Sequence, residues 1–148
     1  MLKTPPLLIL LLLLVLSACS EVNEKKTAGK FGMMDENTPD YAALQFFDGI
    51  YRGKDISGAL KLSSPKMGRL LQSYRTNRNV QRHVFNMPYD TVEFKPHAVS
   101  AGRKEFAKEA QVRLFFEGEI NGNILKDLRV VKLVRPGKKW LVDEVSLN

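Results

Sequence analysis

The stretch AQVRLFFEGEINGNILKDLRVVKLVR, residues 110–135, decides the fold. Over Ala110–Ile120 the apolar Val112, Leu114 and Phe116 fall on alternate positions, the period of two that a strand with one buried face requires. Asn121-Gly122-Asn123 is a hairpin signal, and Ile124–Arg135 predicts a second long strand. Its apolar parity shifts at Val130-Val131, which predicts a β-bulge there. Working outward, Pro136-Gly137-Lys138 turns the chain into a final strand, Lys139–Leu147, and Thr91–Lys95 supplies a short one before. In the final strand Trp140 and Val142 share one face while Leu141, Val145 and Leu147 share the other. Both faces of the sheet are then expected to be covered, one by helices and the second by another subunit.

Upstream the period is helical. Thr38-Pro39-Asp40 combines an N-cap, a proline at the first helical position and an acid at the positive end of the dipole. Leu44, Phe47, Ile50 and Tyr51 follow on one face, and Gly53 ends the helix. Asp55 caps a short helix through Ile56, Ala59 and Leu60. Ser64-Pro65 starts a third, with Met67, Leu70, Leu71 and Tyr74 inward and Lys66, Arg69 and Ser73 outward. Asn77–Phe85 reads as a further helical turn or two, ended before Pro88. Helices followed by an antiparallel meander make an α+β domain over residues 38–148, N-terminal helices packed on one face of a curved sheet. A single core of that size folds without metals or disulfides.

The leading helix from Thr38-Pro39-Asp40-Tyr41 through Phe46-Phe47 to Ile50-Tyr51 and the Gly53-Lys54-Asp55 joint carry a resemblance. So does the closing segment Lys139-Trp140-Leu141-Val142-Asp143-Glu144-Val145. The domain resembles the nuclear transport factor 2-like superfamily. That resemblance implies a cone-shaped space between helix and sheet, which the superfamily uses in enzymes, ligand binders and interaction modules alike, so the fold leaves the activity open. Phe47, Tyr51, Leu114, Phe116 and Leu128 are the residues expected to line it, making any pocket mainly hydrophobic and suited to a lipid-like ligand.

The N-terminus is an address. Lys3 precedes the apolar run Leu7–Leu16, and Leu16-Ser17-Ala18-Cys19 matches the lipobox of bacterial lipoproteins. Ten apolar residues are too few to span a bilayer, which takes about 20. An ordinary secretory signal cut after Ala18 is the alternative. The lipoprotein resemblance implies a signal peptide over residues 1–18, removed before Cys19, and acylation of Cys19, with burial of several acyl chains giving a stable anchor. Residues 19–37 would then be a lipidated cysteine and polar tether, the 18 residues after Cys19 spanning roughly 25 Å as a flexible coil. Phe31 and Met33-Met34 are the residues of that tether able to dock. Ser20, rather than aspartate, after the cysteine favours the outer membrane, periplasmic face, over the inner membrane. Cys19 is the sole cysteine, so no disulfide is available to the domain.

The formal charge is +7, or +6 without Lys3. Between Ile56 and Tyr89 lie six basic residues, Lys61, Lys66, Arg69, Arg75, Arg78 and Arg82, and no acid. Lys66, Arg69, Arg75, Arg78 and Arg82 are therefore candidates for an anionic envelope component or an acidic protein; a solvated helix face is the plainer reading. No aromatic interleaving supports nucleic-acid binding. Tyr41, Asp48, Tyr51, Tyr74, His83, Glu93 and His97 are the residues with acid–base chemistry, and their spacing forms no recognised catalytic motif. Two distant histidines give no metal site, and no cofactor is expected. The expectation is a lipid-anchored, periplasm-facing binding or envelope-accessory module without catalysis, anchored in the membrane and able to pair as a homodimer through its sheet. The alternatives are a small-molecule enzyme with an acid or base in the cone, and a purely structural interaction subunit.

Overall fold

The computed structural model describes residues 31, 32, 34–101 and 107–148. Signal, lipobox and Cys19 lie outside them, as does most of the tether. Within Phe31–Asn148, one compact unit, the helices are α1 (Pro39–Tyr51), α2 (Ser57–Leu60), α3 (Pro65–Tyr74) and α4 (Asn77–Asn79), and α4 runs into a π-helical turn, Val80–Val84. The strands β1 (Thr91–Ala101), β2 (Glu109–Ile120), β3 (Asn123–Val134) and β4 (Leu141–Leu147) form one antiparallel sheet in chain order. This is the α+β arrangement the sequence predicts.

Pro39 and Asp40 start α1, and Ala43, Leu44, Phe46, Phe47 and Ile50 form its buried stripe, the three-and-four spacing that points one helix face at a core. Thr38 stands at the N-cap position, yet its hydroxyl donates backward to the Asp35 carbonyl, 2.7 Å away. Ser64 does cap α3, accepting from the Met67 N–H. Two bonds then pin the start of α3 to β4: the Ser64 N–H donates to the Val142 carbonyl and the Val142 N–H to that of Leu62. The carbonyls freed at the end of α1 accept from amide side chains. Asn77 Nδ2 bonds Gly49 and Gly53, and Gln81 Nε2 bonds Ile50.

Four details of the sheet differ from the sequence expectation. First, β1 runs on to Ala101 through Pro96, with a register shift between Pro96 and Ala98, so His97 sits at a bulge in a strand and not in a loop. An edge strand tolerates the missing N–H of proline. Second, β3 pairs with β2 without interruption from Asn123 to Val134, so no bulge lies at Val130-Val131. The parity holds because Arg129, rather than an apolar residue, takes the inward position opposite Leu114. Third, the bulge is in β4, where Lys132 faces Glu144 and Leu133 faces Val142, leaving Asp143 as the extra residue. It puts Val142, Val145 and Leu147 on the same face, correcting the expectation that Val145 and Leu147 oppose Val142. Fourth, Trp140 precedes the strand, buried, with the Arg135 guanidinium 5.6 Å from its ring centre.

The two-residue β2–β3 turn uses Asn121 (φ 51°) and Gly122 (φ 79°), the paired left-handed conformation that suits a twisted hairpin. The compact unit also begins earlier than Thr38. Phe31 packs edge-on against Tyr41 at 6.1 Å and against Phe94 at 6.3 Å, so the docking open to the tether is realised by its last part.

Candidate functional site

The space between α1 and the sheet is occupied by aromatic rings. Phe47 lies at its centre, 4.9 Å from Phe116, 5.2 Å from Phe46, 5.5 Å from Phe85 and 6.3 Å from Phe94. These distances are those of preferred edge and tilted aromatic pairs. Phe47, Leu114 and Phe116 are fully buried. These three residues, expected to line the space between helix and sheet, pack there against one another and the neighbouring rings. Tyr51 stands at its end, stacked on Phe47 and Tyr89. Leu128 is on the opposite face: its cross-strand partner is Phe115, which alternates with the inward Leu114 and Phe116. This corrects its placement in the cone.

The inward position beside Leu128 belongs to a polar pair that the sequence reading did not single out. Arg129, 9% exposed, donates from Nε and Nη2 to Asp127 Oδ2, at 2.9 and 2.5 Å. Asp127 Oδ1 accepts from the Leu128 N–H. Nearby, the Tyr51 hydroxyl donates to the Met87 carbonyl at 2.8 Å, and the Tyr89 ring lies directly on Gly118, where a Cβ would come within 2.3 Å of the ring. Burial, and then the neighbouring Tyr89 and the charge of Asp127, push the Tyr51 hydroxyl far above the ordinary tyrosine range against the opposing effect of Arg129. Tyr89 is raised by burial and Asp127 in the same way. Raised in this way, both phenols favour the protonated form, and that of Tyr51 serves as the donor to Met87.

The other acid–base candidates do not converge on this point. Tyr41 accepts from Gln45 at the far end of α1. Asp48 pairs with Arg52, which also donates to the Val92 carbonyl, approaches Glu93 and lies 4.7 Å over Phe94. His83 stacks on Tyr74, and His97 is exposed in β1. Among the described residues no group of three or more His, Cys, Asp or Glu could hold a metal, and no helix is long and apolar enough to cross a membrane.

The basic set divides. Lys66 reaches Glu144 at 3.0 Å and Asp143 at 3.6 Å; Lys132 holds the other Glu144 oxygen at 2.9 Å. The two lysines keep the Glu144 carboxyl below its ordinary range. Arg69, Arg75, Arg78 and Arg82 are exposed and make no ion pair among the described residues. They do not share one continuous helix. The chain breaks at Arg75 (φ 65°), and Thr76 caps a new start at Asn77.

A solved chain of known design, a five-substitution variant of Rd1NTF2_05, superposes with a TM-score of 0.57 at 13% identity, covering 77% of this chain and all of that one. The fold is nuclear transport factor 2-like. No known family model matches the sequence, and no curated protein does. At that identity the likeness carries the fold alone. The nuclear transport factor 2-like cone of this chain is accordingly described by its own residues: an aromatic interior, a self-paired Asp127–Arg129 at the inner face of β3, and, along the helical segments beside it, exposed arginines that make no ion pair among the described residues.

Proposed function

We propose that the chain is a lipid-anchored, periplasm-facing binding module of the bacterial envelope, without catalytic chemistry of its own, held by acylated Cys19 in the outer membrane. The supporting observation is the filling of the cone by Phe46, Phe47, Phe85, Phe94 and Phe116, which places rings where an enzyme would hold substrate. The polar groups beside them bond one another and the backbone. Recognition then falls to the surface, where Arg75, Arg78 and Arg82 offer a cationic face to anionic headgroups, each contributing about 1 kcal/mol near a charged membrane. A tether of about a dozen residues between Cys19 and the docked Phe31 keeps that face within reach of the bilayer, so a weak contact suffices.

The interaction-subunit reading has an observation of its own. Phe115, Leu128, Val130 and Leu141 are half-buried on the outer sheet face, a surface suited to a second copy.

Cell fractionation with intact-mass measurement, followed by flotation on anionic vesicles, tests the proposal. Wild type is expected in the membrane, lacking residues 1–18 and carrying acyl mass, and Cys19→Ser in the soluble fraction. In the Cys19→Ser background, changing Arg75, Arg78 and Arg82 to glutamate should abolish flotation at low salt. An unacylated wild-type chain, or flotation indifferent to the three changes, overturns the corresponding half of the proposal.

A further inference from the structure

A groove of about 470 Å³ runs between α3, the end of the π-helical turn and β4, within the roughly 300–1,000 Å³ of small-molecule sites. Its floor is apolar: Met67 and Leu70 from α3, Val84 and Phe85 from the turn, Val145 from β4. Phe85 also packs on Phe46 and Phe47, so the floor of the groove is the outer wall of the filled cone. Leu70, read from the sequence as inward, is 41% exposed; it is an apolar side chain left for something to cover.

The charges at the rim can be counted. Asp143 accepts from Ser64 Oγ at 2.6 Å and lies 3.6 Å from Lys66, while Glu144 is shared by Lys66 and Lys132. Two acids are thus matched by two lysines. Arg69, one helical turn beyond Lys66 and also lining the groove, is the remaining charge, exposed and without an ion pair among the described residues. An apolar trough with one spare guanidinium fits an apolar chain that carries one anionic head.

We infer that this groove binds a single long-chain carboxylate, a fatty acid, with its acyl chain along Met67, Leu70, Val84, Phe85 and Val145 and its carboxylate on Arg69. A guanidinium presents two parallel donors to the two carboxylate oxygens, and burial of the chain supplies the affinity at about 25 cal/mol per Å². The comparable groove beside Tyr51 and Tyr89 suits an anion poorly, because Asp90, Glu93, Glu117 and Glu119 rim it and the neighbouring Arg52 and Lys126 are already paired with Asp48, Glu93 and Glu117. The inference rests on the binding-module reading and names its ligand class.

The experiment is photo-crosslinking of the full chain with a diazirine-bearing palmitic acid delivered from albumin, with adducts mapped by peptide mass spectrometry. Adducts are expected to concentrate on residues 65–74, 84–85 and 141–147. Arg69→Glu should cut that labelling at least fivefold with an unchanged circular dichroism spectrum; Lys54→Glu, at an exposed position away from the groove, should leave it intact; the matching diazirine hexadecanol should label several-fold less. Labelling spread equally over other exposed apolar residues such as Ile124 and Leu125, or equal labelling of the Arg69→Glu variant, or of wild type by the alcohol, overturns the inference. Because albumin delivers the acid without a bilayer, the labelling is read equally on an unacylated chain, and failure of the anchor is a separate result.

Discussion

The interior of the cone and its helical rim are built on opposite principles. In the interior, α1 and β2 bury ring against ring with neighbours at 4.9–6.5 Å, and the charged pair there is largely enclosed, the Arg129 and Asp127 side chains 11% and 24% exposed. At the rim, helices of three to ten residues are held by amide caps and by Lys66, while the arginines and Leu70 are left to solvent. The interior has what stability needs, its rings packed against one another. The rim has open positions and much less packing, so substitutions should separate the two: losses of stability inside, and changes of binding outside.

The largest expected effect is Phe47→Ala. Removing the ring that touches Phe46, Phe85, Phe94 and Phe116 costs about 3–5 kcal/mol through lost transfer energy and an unfilled cavity. Urea unfolding should show the midpoint falling accordingly, with the slope little changed. A loss under 1 kcal/mol would mean that the cone can collapse or is loosely filled, and the distinction between the regions would fail. Leu70→Ala, at the rim, should cost well under 1 kcal/mol by the same measurement.

A second test concerns the enclosed ion pair. Asp127→Ala leaves the Arg129 guanidinium without its partner in a site that is 9% exposed, and should cost up to about 3 kcal/mol. Replacing the pair together, Asp127→Leu with Arg129→Met, should recover most of that loss, since two well-packed apolar side chains carry no desolvation penalty. A double-mutant cycle reads the coupling directly. If the double variant is no better than Asp127→Ala, the pair has a role in shape or binding that pairing energy does not describe.

How much of this was legible in the sequence follows the same division. Alternation in β2, the Asn121-Gly122 turn and the α1 stripe are signals in which local propensity and burial agree, and each element stands where the sequence puts it. In β3 the error comes where a polar residue is buried with a partner. Reading Val130-Val131 as a bulge kept Arg129 outside and brought Leu128 in. Counting parity backward from Val131 and Leu133 would have put Arg129 and Asp127 inward, at the cost of burying a charge, and the two guanidinium bonds to Asp127 Oδ2 that make this tolerable are not visible in one strand's pattern. The β4 bulge at Asp143 was hidden for a similar reason, because register belongs to two strands and not one. The groove at the rim depends on helix placement against β4, and reading Leu70 as inward hides it.

The smallest effect is expected at Arg75, and its sign matters more than its size. With φ 65° and ψ −34°, and the Thr76 N–H donating to the Tyr74 carbonyl across it, Arg75 occupies a tight three-residue turn of the rare, strained hand. Glycine adopts that conformation without a Cβ clash, whereas an L side chain there costs about 1–2 kcal/mol. Allowing for the greater freedom of glycine in the unfolded chain, Arg75→Gly should stabilise the domain by about 0.5–1 kcal/mol, a rise of roughly 2–8 °C in Tm. Arg78→Gly, which changes the same charge at a helical position in α4, should be neutral or destabilising. If both behave so, the fold gains nothing from arginine at position 75, and its contribution is to be sought in what the guanidinium meets at the surface. A drop in Tm for Arg75→Gly would show instead that the side chain itself supports the rim, and would remove Arg75 from the proposed anionic contact.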